Sequence, residues 1–292
     1  MEKAIRNSKT VLSFILVVIT IIIWYVVFYF ESRQNLLVTF FDVGQGDSIF
    51  IEVPGGNQIL IDGGPDDSVL AKLGKRMPFW DRSLDLVILT HPEKDHVSGL
   101  LEVLRRYDVD KILWTGVEHS IAEFEEWKKL LEKEDAEIFY AQRGGVINFG
   151  KGAEMVILWP DEDFRGKTVS ELNETGVVAK LEYGQNSFLF TGDIGRSTEY
   201  RLLSESLSSK FFVLSSDVLK VGHHGSKYSS SDAFLRAVLP EINVIQSGRK
   251  NRYGHPASET LDRLAAAGAA ILRNDTDGDI VIESNGWIFW RK

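Results

Sequence analysis

Residues 11–30, VLSFILVVITIIIWYVVFYF, are an unbroken apolar run, and behind it the chain changes to short apolar segments separated by polar turns. The run's length of about 20 residues matches the hydrocarbon core of a bilayer when helical. Its many β-branched residues disfavour a helix in water, but lipid forces the backbone to bond within the segment. Trp24, Tyr25 and Tyr29 lie toward one end, where interfacial aromatics gather. A buried core helix would be shorter. A cleaved signal peptide would have a shorter apolar region followed by a small-x-small site, and neither holds here. Lys3, Arg6 and Lys9 precede the run, whereas Glu31 and Arg33 follow it and cancel. The positive-inside rule therefore predicts a cytoplasmic tail over 1–10, a single transmembrane anchor over 11–30, and a domain over 34–292 outside the cell membrane.

From Gln34 to Gly64 the pattern reads as strands at 36–41, 48–53 and 58–62 with turns at 44–47 and 54–57. Residues 84–89 are a short apolar strand, and 97–107 have helical spacing with Leu100, Leu101 and Leu104 on one side. Strands at 111–114, 137–140 and 155–159 bracket an amphipathic helix over 121–133, and 161–174 is polar and loop-like. Strands at 177–183 and 187–191 follow. The C-terminal part alternates: a helix from Ser197, a strand near Leu219, a helix from Ser231, a strand at 242–246, a helix from Ser258 and a closing hairpin over 279–290. Strands, then mixed elements, then strands again predict an α/β domain of two sheets covered by outer helices.

Composition narrows the chemistry. The chain of 292 residues is ample for one large core. It has no cysteine, which excludes disulfides, thiolate metal sites and a cysteine nucleophile. A net charge of -9 argues against a general polyanion binder, because Lys and Arg carry most phosphate contacts. Bound divalent cations would offset that charge only locally.

Four of the six histidines form two close pairs, His91 with His96 and His223 with His224, a fifth is His255, and His119 stands alone without a role. The segment Thr90-His91-Pro92-Glu93-Lys94-Asp95-His96 follows an apolar strand and precedes a helix, the position of ligand crevices in α/β proteins. Read alone, it also fits a polar turn with an aspartate cap. Phe188-Leu-Phe-Thr-Gly-Asp193 ends a strand in a carboxylate able to bridge two cations, and on its own Asp193 reads as a helix cap. Val218-Leu-Lys-Val-Gly-His223-His224-Gly-Ser226 exposes two imidazoles after a strand. Neighbouring side chains diverge, so one is expected on metal and the other toward substrate. Imidazole and carboxylate without thiolate suit Zn, Mn or Fe. Two such ions about 3.5–4 Å apart activate water and stabilise displacement at phosphorus.

These motifs resemble the metallo-β-lactamase fold, and more closely the extracytoplasmic hydrolase domain of the ComEC/Rec2-type DNA-uptake proteins. The marks are Phe41-Asp-Val-Gly-Gln-Gly-Asp-Ser48, Leu60-Ile-Asp-Gly-Gly64, the 89–99 histidine segment, Leu189-Phe-Thr-Gly-Asp193, Leu219-Lys-Val-Gly-His-His-Gly-Ser226 and Asn251-Arg-Tyr-Gly-His-Pro256. The resemblance covers nearly all of residues 36–283. It implies a four-layer αββα sandwich with a dinuclear site between the sheets, holding two divalent metal ions, Zn or Mn. One metal would take His91, Glu93, Asp193 and His224, and the other Asp95, His96, Asp193 and His255. Asp95, Asp193 and His223 would be the catalytic groups, with His223 facing substrate as acid or hydrogen-bond donor. The resemblance departs at Glu93, where the wider fold carries His and ComEC-like members often carry Asp. A longer oxygen ligand there favours a harder ion. Gln45 and Asp47 are expected to border the site, although a plain glycine turn fits them equally.

The resulting expectation is a membrane-anchored, metal-dependent phosphodiesterase acting on DNA, single strands in particular, with Gln45, Asp47, Lys227 and Arg252 contacting substrate. Lys220, Arg249 and Lys250 are further basic candidates. Proteins of the ComEC type carry many channel helices, whereas this sequence has one predicted span, and the resemblance leaves open a separate ComEC-type channel protein as partner. A smaller phosphoester, such as cell-wall phosphocholine, is the alternative substrate. A DNA-binding or assembly module without turnover is the alternative outside catalysis.

Overall fold

In the computed structural model the backbone is described over residues 2–31, 34–208 and 213–292, and the side chains over 11–27, 34–207 and 213–292. Helix α1 (Glu2–Glu31) precedes β1 (Leu36–Phe40), β2 (Ile49–Glu52) and β3 (Gln58–Ile61). Then come α2 (Ser68–Arg76), β4 (Ser83–Leu84), β5 (Leu86–Ile88), α3 (Lys94–Leu104), β6 (Asp108–Val109), β7 (Lys111–Trp114), α4 (Ala122–Leu131) and β8 (Glu137–Tyr140). The second half runs β9 (Val146–Gly150), β10 (Ala153–Trp159), β11 (Val178–Tyr183), β12 (Asn186–Phe190), α5 (Arg196–Ser208), β13 (Val218–Lys220) and α6 (Asp232–Val238). It closes with β14 (Ile242–Ile245), α7 (Ser258–Ala267), β15 (Ala270–Arg273), the single turn α8 (Asn274–Asp277), β16 (Ile280–Ser284) and β17 (Phe289–Arg291).

Alternation along the strands sorts these elements into layers, because successive residues face opposite sides of a sheet. The first sheet has the order β17-β16-β1-β2-β3-β5-β7-β8, and the second β15-β14-β13-β12-β11-β10-β9. Inner-face residues such as Val38, Ile51, Ile61, Met155, Leu181 and Phe188 form one core between the sheets. The outer face of the first sheet (Phe50, Leu60, Val87, Ile112) packs on Leu73 of α2, Leu100 of α3 and Trp127 of α4. The outer face of the second (Val178, Leu189, Leu219) packs on Leu202 of α5, Phe234 of α6 and Leu264 of α7. The result is four layers, helix–sheet–sheet–helix, as the resemblance implies.

Each sheet is antiparallel on one side and parallel on the other. β3, β5, β7 and β8 pair in parallel, as do β12, β13, β14 and β15. Parallel neighbours present their carboxyl ends together, and that is where the motif-bearing loops leave the sheets. The helix expected at 97–107 starts earlier, at Lys94, so Asp95 and His96 sit in its first turn.

The apolar run forms part of α1, and its large apolar side chains from Val11 to Val27 are exposed. Among the described residues no helix is long and apolar enough to cross a membrane. The side chains at 28–30, which complete the predicted span, and those of Lys3, Arg6 and Lys9 lie outside the described residues.

Candidate metal centre

The loop after β3 holds Asp62, a buried carboxylate at φ 56°. Side chains rarely adopt that left-handed backbone, and here it turns the carboxylate into the sheet edge. Asp62 Oδ1 accepts the Thr90 N–H at 2.8 Å, and Oδ2 accepts the Thr90 hydroxyl at 2.6 Å and His96 Nδ1–H at 2.8 Å. With its proton committed to Asp62, the Thr90 oxygen accepts from His91 Nδ1, 3.0 Å away. On the other sheet, His224 Nδ1 donates to the Gln246 carbonyl at 3.0 Å. All three rings are thus fixed through Nδ1 with Nε2 turned inward, where it can bind metal once any proton on it has left. This is how ligand histidines are held by outer partners.

Those three Nε2 atoms are buried and have no hydrogen-bond partner. Two of them, on His96 and His224, nevertheless face one carboxylate. Asp193 Oδ2 lies 3.0 Å from His224 Nε2 and 3.4 Å from His96 Nε2, and Asp95 Oδ2 lies 3.3 Å from His224 Nε2. Donor atoms of His91, His96 and Asp193 fall within 4.8 Å of one another, as do those of Asp95, His96 and His224. Imidazole nitrogens and carboxylates gathered in so buried a space need positive charge among them, which protons on the rings or a divalent cation supply. The residues therefore fit divalent metal, with nitrogen and oxygen donors suited to zinc or manganese.

Charge responds accordingly. Burial pushes the His96 and His224 pKa values down, but Asp193 with Asp62, and Asp193 with Asp47, outweigh it and hold both well above the ordinary value. Burial raises Asp193 and Asp95, yet the surrounding imidazoles keep both carboxyls below the usual range. His255 is lowered to about 4, first by burial and then by its histidine neighbours, so it is neutral at pH 7.

The donor groups overlap: His224 gathers with Asp95 and His96, and also with Asp47 and Asp193, while His91 gathers with His96 and Asp193. The cause is local: His223 and His224 both adopt positive φ, 48° and 52°, which swings His224 under Asp95 and leaves His223 half-exposed. Glu93 stands beside His91, Oε2 to Nε2 at 3.8 Å, and His91 lowers its pKa. His255 flanks the centre, its ring centroid 5.6 Å from that of His223 and 6.3 Å from that of His224, with a buried and unpartnered Nδ1. Glu93 and His255 belong to none of the tight donor groups among the described residues.

Two sequence readings need correction. Asp47 is not at a substrate surface. It is buried, forms a salt bridge with Lys220, and places Oδ1 3.2 Å from His224 Nδ1. Lys220 is not a surface cation either. It is fully enclosed, and its ammonium also donates to the Gly192 carbonyl at 2.9 Å and lies 3.4 Å from Asp193 Oδ1. Its pKa is pushed down by burial but raised overall by Asp47 and Asp193, so the lysine is charged. The Gly44–Asp47 turn is drawn in because Gly46, at φ 141°, packs on the Asp95 carbonyl, where a Cβ would come to 2.2 Å. Gln45 and Arg252 do border a cleft that has Asp95 in its wall. Lys227 is exposed over the Tyr228 ring and lies outside that cleft's lining. Asp62 and Thr90 are absent from the expected site, although Asp62 stands in a turn motif marked by the resemblance.

A family model, Metallo-beta-lactamase superfamily, matches residues 41–249. The chain is 29% identical over 260 residues to ComE operon protein 3 of Bacillus subtilis, covering 83% of this chain and 32% of that protein. It is 31% identical over 256 residues to Competence protein ComA of Neisseria gonorrhoeae, covering 84% and 32%. The chain thus spans about a third of the length of the curated relatives it matches. Among solved structures, the metallo-beta-lactamase fold protein YhfI of Bacillus subtilis aligns with a TM-score of 0.53 at 14% identity, over 81% of this chain and 95% of that one. CmlA, a diiron beta-hydroxylase from Streptomyces venezuelae, aligns with a TM-score of 0.53 at 15% identity, over 82% and 52%. Those two likenesses concern the fold. Sequence match, layer order and ligand cluster agree that the chain belongs to the metallo-β-lactamase superfamily.

Proposed function

We propose that this protein is a metal-dependent phosphodiesterase that cleaves DNA, tethered by α1 to the cell membrane with its domain outside. The observation that carries the catalytic part is the convergence of the buried His96 and His224 Nε2 atoms on Asp193 beside Asp95, with His91 in the same donor group. His91, Asp95, His96, Asp193 and His224 would hold the metal, with Glu93 and His255 at its flanks. Bound there, divalent ions would supply Lewis-acid activation of water and neutralise charge on a phosphoryl group.

The chain's own groups do the rest. Asn173 Nδ2 lies 3.4 Å from His223 Nδ1 and can only donate to it, so the neutral ring carries its proton on Nε2. Burial lowers the His223 pKa and favours that neutral form. Nε2–H, 4.0 Å from Asp193 Oδ2, is placed to donate to a phosphoryl oxygen or to protonate the departing alkoxide. DNA as substrate is supported by the name of one relative, Competence protein ComA, and by Arg252, an exposed cation in the wall of the cleft. The anchor is supported by the apolar run at 11–30. A ComEC-type channel protein is the partner proposed on the same likeness.

The decisive experiment incubates the purified protein with single-stranded DNA and with a panel of small chromogenic phosphoesters, each with Mn²⁺ or Zn²⁺. Metal-dependent strand cleavage is expected. Turnover of the small esters alone would replace DNA as substrate, and no turnover with any metal would reject the catalytic reading.

A further inference from the structure

The cleft beside the metal centre is open, about 300 Å³, with Asp95 on its wall and Gln45, Lys94, Arg252 and Tyr253 around it. Tyr253 is 56% exposed, which is unusual for an aromatic ring beside a buried charged centre. Its ring stacks on His255, centroids 6.0 Å apart with planes inclined by 25°. The loop that presents it is fixed by one side chain. Asn251 Oδ1 accepts the N–H groups of Tyr253 (3.1 Å) and His255 (2.9 Å), while Nδ2 donates to the Gly248 carbonyl (2.8 Å). The ring is therefore held in register with a residue that flanks the metal centre.

Arg252 lies over the same ring, its Cζ 5.2 Å from the centroid, and hydrogen-bonds the Tyr253 hydroxyl at 3.1 Å. No carboxylate within salt-bridge distance of Arg252 is found among the described residues, although the chain has 42 acidic side chains. Lys94, in contrast, is paired with Glu123 at 2.6 Å. An exposed aromatic on a rigid loop and an arginine without an acidic partner, both on one wall of the cleft, match the two components of unpaired nucleic acid: a π face and a phosphate. A base within a duplex keeps both faces stacked and cannot use such a platform.

We propose that Tyr253 is a stacking platform for an unpaired nucleobase next to the scissile phosphodiester, and that Arg252 swings from the ring to hold the adjoining phosphate. This makes the substrate a single strand and rests on the phosphodiesterase reading above for the identity of the scissile bond. The test separates the two. Binding of the full-length protein, loaded with Mn²⁺, is read by anisotropy of a labelled oligothymidylate and of an abasic strand of equal length. Wild type should hold the base-bearing strand roughly tenfold more tightly. Tyr253→Ala should abolish that preference, Tyr253→Phe should keep it, and Arg252→Ala should weaken both strands alike. Equal binding of the two strands by wild type, no binding of either, or a preference that survives Tyr253→Ala would overturn the platform. Cleavage is scored separately. A protein that prefers the base-bearing strand but cuts nothing keeps the platform and loses the phosphodiesterase reading. One that cuts both strands with equal KM does the reverse.

Discussion

Asp62 and Lys220 show how single residues outside the donor cluster set its geometry. Asp62 holds His96 directly and His91 through Thr90, so Asp62→Ala should leave both rings free to rotate. Loss of an outer partner of this kind costs about 10–100-fold in metal affinity, which competition with a chromogenic chelator would read. Asp193→Ala removes the shared carboxylate and should abolish both metal content and activity; retention of either would reject the site. Among the described residues, Lys220 is the one cation besides the histidines that faces Asp47 and Asp193 in that buried space. Lys220→Met should destabilise the protein by about 3–5 kcal/mol through the uncompensated charge left behind, and adding Asp47→Asn should recover part of it in a denaturant titration. Proton linkage follows from the raised histidines. In metal-free protein, the stabilisation from His96 and His224 is complete below the unfolded value near 6.5 and is lost as pH rises through their higher folded values. The lowered Asp95 and Asp193 act oppositely: their part is present above the unfolded value near 3.8 and is lost as pH falls. At neutral pH both histidines carry protons, so metal uptake must expel them. Calorimetry in two buffers of different ionisation enthalpy should report about two protons released per site filled; none released would contradict the charge state of the cluster.

At the scale of elements, the motif loops were legible because each combines an apolar strand, a small-residue turn and a helix start, all of which are local signals. Their pairing was not. The place of His224 depends on two successive left-handed residues, and no spacing in the sequence encodes that turn. Asp47 looked like a surface turn residue because its partner, Lys220, arrives from the other sheet. Helix α2 escaped notice because it is short and carries Gly74 with a single buried stripe, Val69 and Leu73. β9 escaped because it is an edge strand whose residues are only partly covered. One contact between elements depends on glycine at both of its positions. Gly63 and Gly99 pack the turn after β3 against α3, and a Cβ on Gly99 would lie 1.9 Å from the Gly63 carbonyl oxygen. Gly99→Ala must push α3 away from that turn, and α3 carries Asp95 and His96 in its first turn. We expect a loss of about 1–3 kcal/mol in stability together with weaker metal binding. A variant with unchanged melting and unchanged metal affinity would show that α3 shifts without cost.

At the scale of the whole molecule, strand direction divides the surface into two ends. The metal centre lies at the carboxyl ends of β3, β5, β12 and β13. The opposite end holds the start of β1, where the chain arrives from α1, and the 285–288 turn between β16 and β17, since Leu36 pairs with Ser284. The loop at 78–82 is at that end too, because Asp81 is bonded to Gln58 at the start of β3. On these two loops Phe79, Trp80, Trp287 and Ile288 are among the most exposed large apolar residues of the domain. The proposed anchor gives that distribution a physical meaning. Residues 31–35 can span at most about 3.6 Å each, so the anchored end of the domain cannot stand far from the bilayer. Exposed aromatic tips on that end would sit at the lipid interface, where one part of a ring meets apolar surroundings and another meets water. The metal centre would then face away from the membrane, open to a strand arriving from outside. The sequence is free of cysteine, which makes the orientation measurable with single labels. Phe79→Cys, Ile288→Cys and Arg249→Cys proteins, each carrying an environment-sensitive fluorophore, would be reconstituted in vesicles containing brominated lipid. Quenching is expected at 79 and 288 and not at 249, which lies in the loop next to the cleft. Equal quenching at all three positions would place the domain on its side, and quenching at 249 alone would turn it over and close the site against the bilayer.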